Sequence, residues 1–134
     1  MKKKLIKSLC TLGLIVSLFS ISANAAQTGW VKHSQLSANE FSWEYIYSDG
    51  TPASEWQMIN GDWYYFDPYD GTCYTGKCYW DANGNLAGDI SRSWYNINGK
   101  TYWFDKDGKM LSDCNVCTSR AYYHLDSNGN AIRL

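Results

Sequence analysis

From Glu40 onward the large apolar and aromatic positions fall in short runs, and small polar residues separate one run from the next. The densest run is Trp63-Tyr64-Tyr65-Phe66, set between Gly61-Asp62 and Asp67-Pro68-Tyr69-Asp70-Gly71, a strand leading into a hairpin turn. A weaker copy stands at Gly99-Lys100-Thr101-Tyr102-Trp103-Phe104-Asp105-Lys106-Asp107-Gly108, and further runs cover Trp43 to Tyr47, Tyr79-Trp80 and Tyr122 to Leu125. Each precedes a turn glycine (Gly50, Gly71, Gly84, Gly108, Gly129) that itself follows Asp or Asn, residue types that tolerate positive φ at least cost. The intervals Gly50 to Gly71, Gly84 to Gly108 and Gly108 to Gly129 are nearly equal, and Gly71 to Gly84 is little more than half as long. That spacing predicts an imperfect array of hairpins, its full units roughly 20 residues long and one unit abbreviated.

Strand side chains alternate, so Trp63 and Tyr65 face one side and Tyr64 and Phe66 the other, leaving both faces apolar. A lone hairpin cannot bury two such faces, whereas a stack of hairpins can. The predicted fold class is all-β, a short solenoid of stacked β-hairpin repeats. A small closed sandwich or barrel keeps the hairpins but loses the periodic stacking. Tyr64, Phe66, Tyr102 and Phe104 read as core, and glycine, asparagine and serine recur too often for an amphipathic helix of ordinary length.

The stretch from Met1 to Ala25 reads differently. A basic start with Lys2, Lys3, Lys4 and Lys7, an apolar stretch from Leu9 to Ile21 and the small-x-small Ala23-Asn24-Ala25 predict a signal peptide cleaved after Ala25. The apolar run is short against the roughly 20 residues of a spanning helix, so no transmembrane anchor is expected after cleavage. Residues 26–39 read as a lead-in or linker with room for one pairing strand and with Trp30 capping the first repeat; residues 40–134 carry the repeats. The 12 basic and 13 acidic residues become 8 and 13 once the leader lysines go, a balance near −5 that argues against a nucleic-acid partner. Cys73, Cys78, Cys114 and Cys117 then form an even set in an exported chain, so disulfides are expected, in any of three connectivities. Local pairing, Cys73 to Cys78 across a reversal at Thr75-Gly76-Lys77 and Cys114 to Cys117 across a tight loop, is the preferred one.

Two stretches carry a family resemblance: Trp56-Gln-Met-Ile-Asn-Gly61-Asp-Trp63-Tyr-Tyr-Phe-Asp67 with Gly71-Thr-Cys73-Tyr-Thr75-Gly76, and Trp94-Tyr-Asn-Ile-Asn-Gly99-Lys-Thr101-Tyr-Trp-Phe-Asp105-Lys-Asp-Gly108-Lys-Met110. They resemble the choline-binding and cell-wall-binding repeats of Gram-positive surface proteins and phage lysins, over about residues 40 to 134. The resemblance implies hairpins stacked into a solenoid, with grooves between them that hold choline of teichoic acid or, in related families, carbohydrate. A quaternary ammonium donates no hydrogen bond and is held by ring faces, and sugars stack on the same rings through their C–H faces. Carried over residue by residue, Trp56 and Trp63 match two walls of a cage whose third wall would come from Tyr79 or Trp80. In the next full unit Trp94 keeps its place, Thr101 occupies the second tryptophan position, and Trp103 stands in from nearby. In the last unit Cys114 and Ala121 take the two tryptophan positions, and Cys73 stands where Met110 stands in its own unit.

Familiar catalytic constellations are missing from the sequence: it has two histidines, His33 and His124, and no Gly-x-Ser-x-Gly, His-Glu-x-x-His or phosphate-cradling motif. Cys114-Asn-Val-Cys117 has redox spacing without βαβ surroundings, and export disfavours a four-cysteine zinc site. The aspartates line turns, so neither a glycosidase dyad nor a calcium loop is expected. The reading is a secreted, cell-wall or cell-surface associated binding protein, not an enzyme, with no cofactor or metal. Its expected partner is teichoic acid choline or a polysaccharide; the alternative is a structural or adhesin-like protein-interaction module with degenerate, disulfide-stapled repeats.

Overall fold

Asn60-Gly61 and Asn98-Gly99 have positive φ at both residues (53° and 87°; 53° and 81°), the backbone that closes a two-residue turn between right-twisted strands. They join the two best-formed hairpins of the computed structural model, which describes residues 27–34 and 41–134. The proposed signal peptide, residues 26 and 35–39 of the lead-in and residue 40 lie outside the described residues. Among the described residues eleven strands run β1 (Gly29–Ser34), β2 (Phe41–Ile46), β3 (Glu55–Ile59), β4 (Asp62–Phe66), β5 (Lys77–Trp80), β6 (Leu86–Asp89), β7 (Trp94–Ile97), β8 (Lys100–Trp103), β9 (Cys114–Cys117), β10 (Tyr122–Leu125) and β11 (Ala131–Arg133), with one 3₁₀ turn at Ile90–Arg92. Consecutive strands pair antiparallel as β1–β2, β3–β4, β5–β6 and β7–β8, and β9, β10 and β11 form a three-stranded sheet. The protein is all-β and built of hairpins. The lead-in supplies a pairing strand, β1, in register with β2 from Gly29 opposite Ile46 to Ser34 opposite Phe41.

The five turn glycines expected from the sequence all have positive φ, between 74° and 85°. Four of their turns share one device. Asp67 Oδ1 accepts from the backbone N–H of Tyr69 and Asp70; Asp81, Asp105 and Asp126 accept in the same way from Asn83 and Asn85, Asp107 and Lys109, and Asn128 and Asn130. These hydrogen bonds favour the ionised carboxylate and hold Asp67 and Asp81 below the ordinary aspartate value, and Asp126 is held below it first by the side-chain amide of Asn130 and then by the backbone N–H groups. Burial pushes Asp105 the other way.

Strand alternation places the aromatic runs between neighbours. Tyr64 and Phe66 of β4 join the first core cluster with Ala53, Ile59 and Cys73, against Trp30, Trp43, Tyr45 and Tyr47 of the first hairpin region. Tyr65, on the opposite face, joins Ile97 and Phe104 with Trp56, Tyr74, Tyr95, Tyr102 and Met110. The pattern repeats one unit on: Tyr102 of β8 and Phe104 just after it face that cluster, as Tyr64 and Phe66 face the first, while Trp103 turns to a third one with Cys78, Leu111, Val116 and Leu125. Both faces of β4 and β8 are apolar because each has a different neighbour. Backbone bonds tie the same neighbours together, Cys73 N–H to Trp43 O at 2.7 Å and Met110 N–H to Trp63 O at 2.8 Å, so Cys73 and Met110 hold equivalent places.

The expected disulfides are corrected: Cys73, Cys78, Cys114 and Cys117 are all free. Cys114 and Cys117 are the two ends of one strand, and three steps of about 3.3 Å separate their Cα atoms by ~10 Å, beyond the reach of a disulfide. Cys73 and Cys78 sit in different core clusters. Thr75-Gly76-Lys77 is no free-standing reversal either, since Gly76 is pinned against the residues that follow β8, its N–H donating to Asp105 O at 2.8 Å and a Cβ there overlapping Phe104 O.

Candidate functional site

Trp56 on β3 and Trp63 on β4 come together as a perpendicular pair, ring centroids 6.4 Å apart at 87°. Register explains the pairing: Trp56 lies opposite Tyr65 and Trp63 opposite Met58, so the two indoles are diagonal neighbours on one face. Trp63 is 41% exposed, and Trp56 is half-buried. Trp56 is fixed by three rings, stacked on Phe104 at 5.9 Å and edge-on to Tyr65 at 5.1 Å and Tyr102 at 4.8 Å. The result is a rigid indole carrying a second, water-facing indole at a right angle.

The ring that the next full hairpin packs on Trp56 is Tyr102 of β8; among the described residues no close ring pair joins either indole to Tyr79 or Trp80 of β5, the rings the sequence suggested for a third wall. The abbreviated hairpin β5–β6 contributes nothing to the cluster that joins β3–β4 to β7–β8. Tyr79 is exposed and lines a separate groove of about 610 Å³ with Phe41, Trp43, Tyr74 and Tyr95. Trp80 is exposed on β5 opposite Leu86.

Trp94 and Trp103 are directly opposed across β7–β8 and meet different fates. Trp94 is 49% exposed, whereas Trp103 is buried, donates Nε1–H to Ile90 O at 3.1 Å and meets the Tyr123 ring at 5.3 Å. Both border an open groove of about 890 Å³ between β7–β8 and the last sheet, together with Lys100, Thr101, Arg120 and Tyr123. Trp103 is thus floor and core rather than a free wall. Arg120 was not singled out from the sequence, and Tyr102 was read there as core, which its packing against Trp56 bears out. Tyr102 stands one place before Trp103, as Tyr64 stands before Tyr65, so strand alternation carried the signal once the neighbouring hairpin was known.

Cysteine chemistry is muted where the thiols are buried. Burial, aided by the Asp105 charge, pushes the Cys73 thiol up to about 12, and burial also raises Cys78 and Cys114. Among the described residues no group of three or more His, Cys, Asp or Glu is arranged to hold a metal ion, and no helix is long and apolar enough to cross a membrane.

The choline-binding repeat model matches residues 91–133, and the cell wall binding repeat model matches residues 54–68. The chain is 34% identical over 87 residues to a Streptococcus downei glucosyltransferase-S and 30% identical over 123 residues to a Streptococcus mutans glucosyltransferase-S. Those matches cover 60% and 71% of this chain but only 6% and 8% of the relatives, so the chain spans a small part of their length. Among solved structures, the choline-binding domain of a Streptococcus pneumoniae protein is similar over 81% of this chain and 99% of that one, with 22% identity and a TM-score of 0.56. The pneumococcal cell wall endolysin from phage Cp-1, solved with choline, is similar over 82% of this chain and 26% of its own, with 22% identity and a TM-score of 0.50. At that identity the two structures show a shared fold. The matched repeats are the hairpins that carry Trp56, Trp63, Trp94 and Trp103, and the chain belongs to the choline-binding, cell-wall-binding repeat family.

Proposed function

We propose that this chain is an exported, non-catalytic cell-wall-binding protein that holds choline of teichoic acid, or a surface polysaccharide, chiefly at Trp56 and Trp63. The observation that carries the reading is the perpendicular indole pair in the 54–68 repeat, with one ring locked by packing and the other facing water. Two ring faces at a right angle can both lie against one small trimethylammonium group, and each contributes about 0.5–2 kcal/mol depending on desolvation. The wall Trp56 needs no ordering on binding, because Phe104, Tyr65 and Tyr102 already fix it. A binding role rather than catalysis is supported by where the reactive groups are: the Cys73 thiol is held protonated by burial, and Asp67, Asp81, Asp105 and Asp126 are engaged with turn N–H groups. Export and a surface location follow from the leader and from the ligand.

The test is retention on purified cell walls, competed separately with choline and with soluble glycans. Choline should release the protein, and Trp63→Ala should weaken choline binding about 2- to 30-fold, the loss of one ring, while far-UV circular dichroism stays unchanged. Absence of retention would overturn the wall-binding reading. Release by glycan alone would move the ligand from choline to polysaccharide.

A further inference from the structure

We propose that the groove between β7–β8 and the β9–β10 sheet is a second binding site, for a sugar unit carrying a phosphate. The inference does not rest on the Trp56–Trp63 reading, since the two sites share no residue. The groove holds about 890 Å³, within the range of small-molecule sites and ample for a hexose phosphate. Its aromatic surface is Trp94, 49% exposed, with Tyr123 tilted at 44° against the buried Trp103, a platform suited to the apolar face of a pyranose.

The remaining lining sets the charge of the ligand. Lys100 at the start of β8 and Arg120 in the β9–β10 connection both border the groove, and among the described residues no Asp or Glu does. Among the described residues neither cation enters an ion pair; the pairs found use His33, Arg92, Lys106 and Lys109. Arg120 is presented by an ordered turn, because Thr118 Oγ1 accepts from the N–H of Arg120 at 3.3 Å and Ala121 at 3.1 Å and donates to Ala121 O at 3.0 Å. Hydroxyls of Ser91, Thr101 and Ser119 add donors for an oxyanion or sugar hydroxyls. Thr101 is decisive, since a ring at this place would fill the groove and favour a cation, while a hydroxyl leaves room and hydrogen bonds. Two unpaired cations repel a quaternary ammonium and attract a phosphate, which the Arg fork can grip with two bonds.

The experiment titrates the protein with glucose 6-phosphate, glucose, inorganic phosphate and choline, following the Trp94 indole N–H by NMR. Glucose 6-phosphate should shift it saturably and less strongly as salt rises, with glucose, phosphate and choline each markedly weaker. Arg120→Ala should weaken binding about tenfold or more, and Trp94→Ala, read by calorimetry, should abolish most of it; Trp63→Ala should change nothing. Both altered side chains are exposed, and circular dichroism checks that the variants fold. No glucose 6-phosphate binding, equal binding of neutral glucose, equal binding of phosphate alone, or an unaffected Arg120→Ala would each overturn the proposal. Loss of choline retention at Trp63 would leave it standing.

Discussion

Gly108 offers a direct test of how the hairpins are fitted together. It has φ +85°, and a Cβ built on it would lie 2.8 Å from Cys73 Sγ, 3.2 Å from Tyr74 O and 3.4 Å from Tyr64 Cδ1. Gly84 has nearly the same backbone, φ +78°, with nothing within 4 Å of its Cβ position. Gly84→Ala therefore carries only the cost of a side chain in the left-handed region, about 1–2 kcal/mol. Gly108→Ala carries that cost and also forces apart two units, adding about 1–3 kcal/mol for overpacking against backbone and a buried thiol. The expected losses are about 1–2 and about 2–5 kcal/mol, read from urea midpoints at constant slope. A Cys73→Ala background should reduce the penalty of Gly108→Ala, because the nearest atom has gone, and the double-mutant cycle isolates that coupling. Equal losses for Gly84→Ala and Gly108→Ala, or a cycle with no coupling, would refute the contact between the Gly108 turn and Cys73.

Further outcomes follow from the same contacts. In the chain starting at Ala26, a thiol reagent at pH 8 should modify the exposed Cys117 first, with the buried Cys73 and Cys78 reacting only on unfolding and four thiols counted in denaturant. Fewer than four would mean that a disulfide forms. Ser93→Ala should cost about 1–3 kcal/mol in denaturant titration, because the buried hydroxyl accepts from Lys77 N–H at 2.8 Å and donates to Asp89 O at 2.7 Å, leaving both unpaired when it is removed. Acid unfolding has a defined sign. Asp67, Asp81 and Asp126 have depressed folded values, so their stabilisation is present above the ordinary value of 3.8 and is lost as pH falls through the folded values. Asp105, raised by burial, gains relief from its charge as it protonates between its folded value and 3.8, so Asp105→Asn should make the acid loss steeper in pH-dependent melts.

The sequence by itself determined the unit. Aromatic runs with apolar side chains on both faces required a neighbour on each side, and Asp-Gly or Asn-Gly after them required tight reversals; both follow from the two-residue period of a strand and from which residues tolerate positive φ. The Asn60-Gly61 and Asn98-Gly99 turns were equally legible and close β3–β4 and β7–β8 ahead of the aromatic run, whereas the turns at Gly84 and Gly129 close β5–β6 and β10–β11 after it, as the sequence predicts. Trp56 and Trp63 were visible as a pair because their register is internal to one hairpin. What only the tertiary structure decided is which units meet. The short interval from Gly71 to Gly84 marked one hairpin as abbreviated without saying that it would be left out of the cluster around Trp56, where Tyr102 of the next full hairpin packs instead. The same long-range packing buries Trp103 while leaving its cross-strand partner Trp94 exposed, and brings Arg120 to the groove from a turn two strands further along the chain. It also separates Cys73 from Cys78 and Cys114 from Cys117, since spacing along the chain measures neither the extension of β9 nor the assignment of Cys73 and Cys78 to different clusters. Local patterns fix what a hairpin presents, and only contacts between distant units fix what it presents it to.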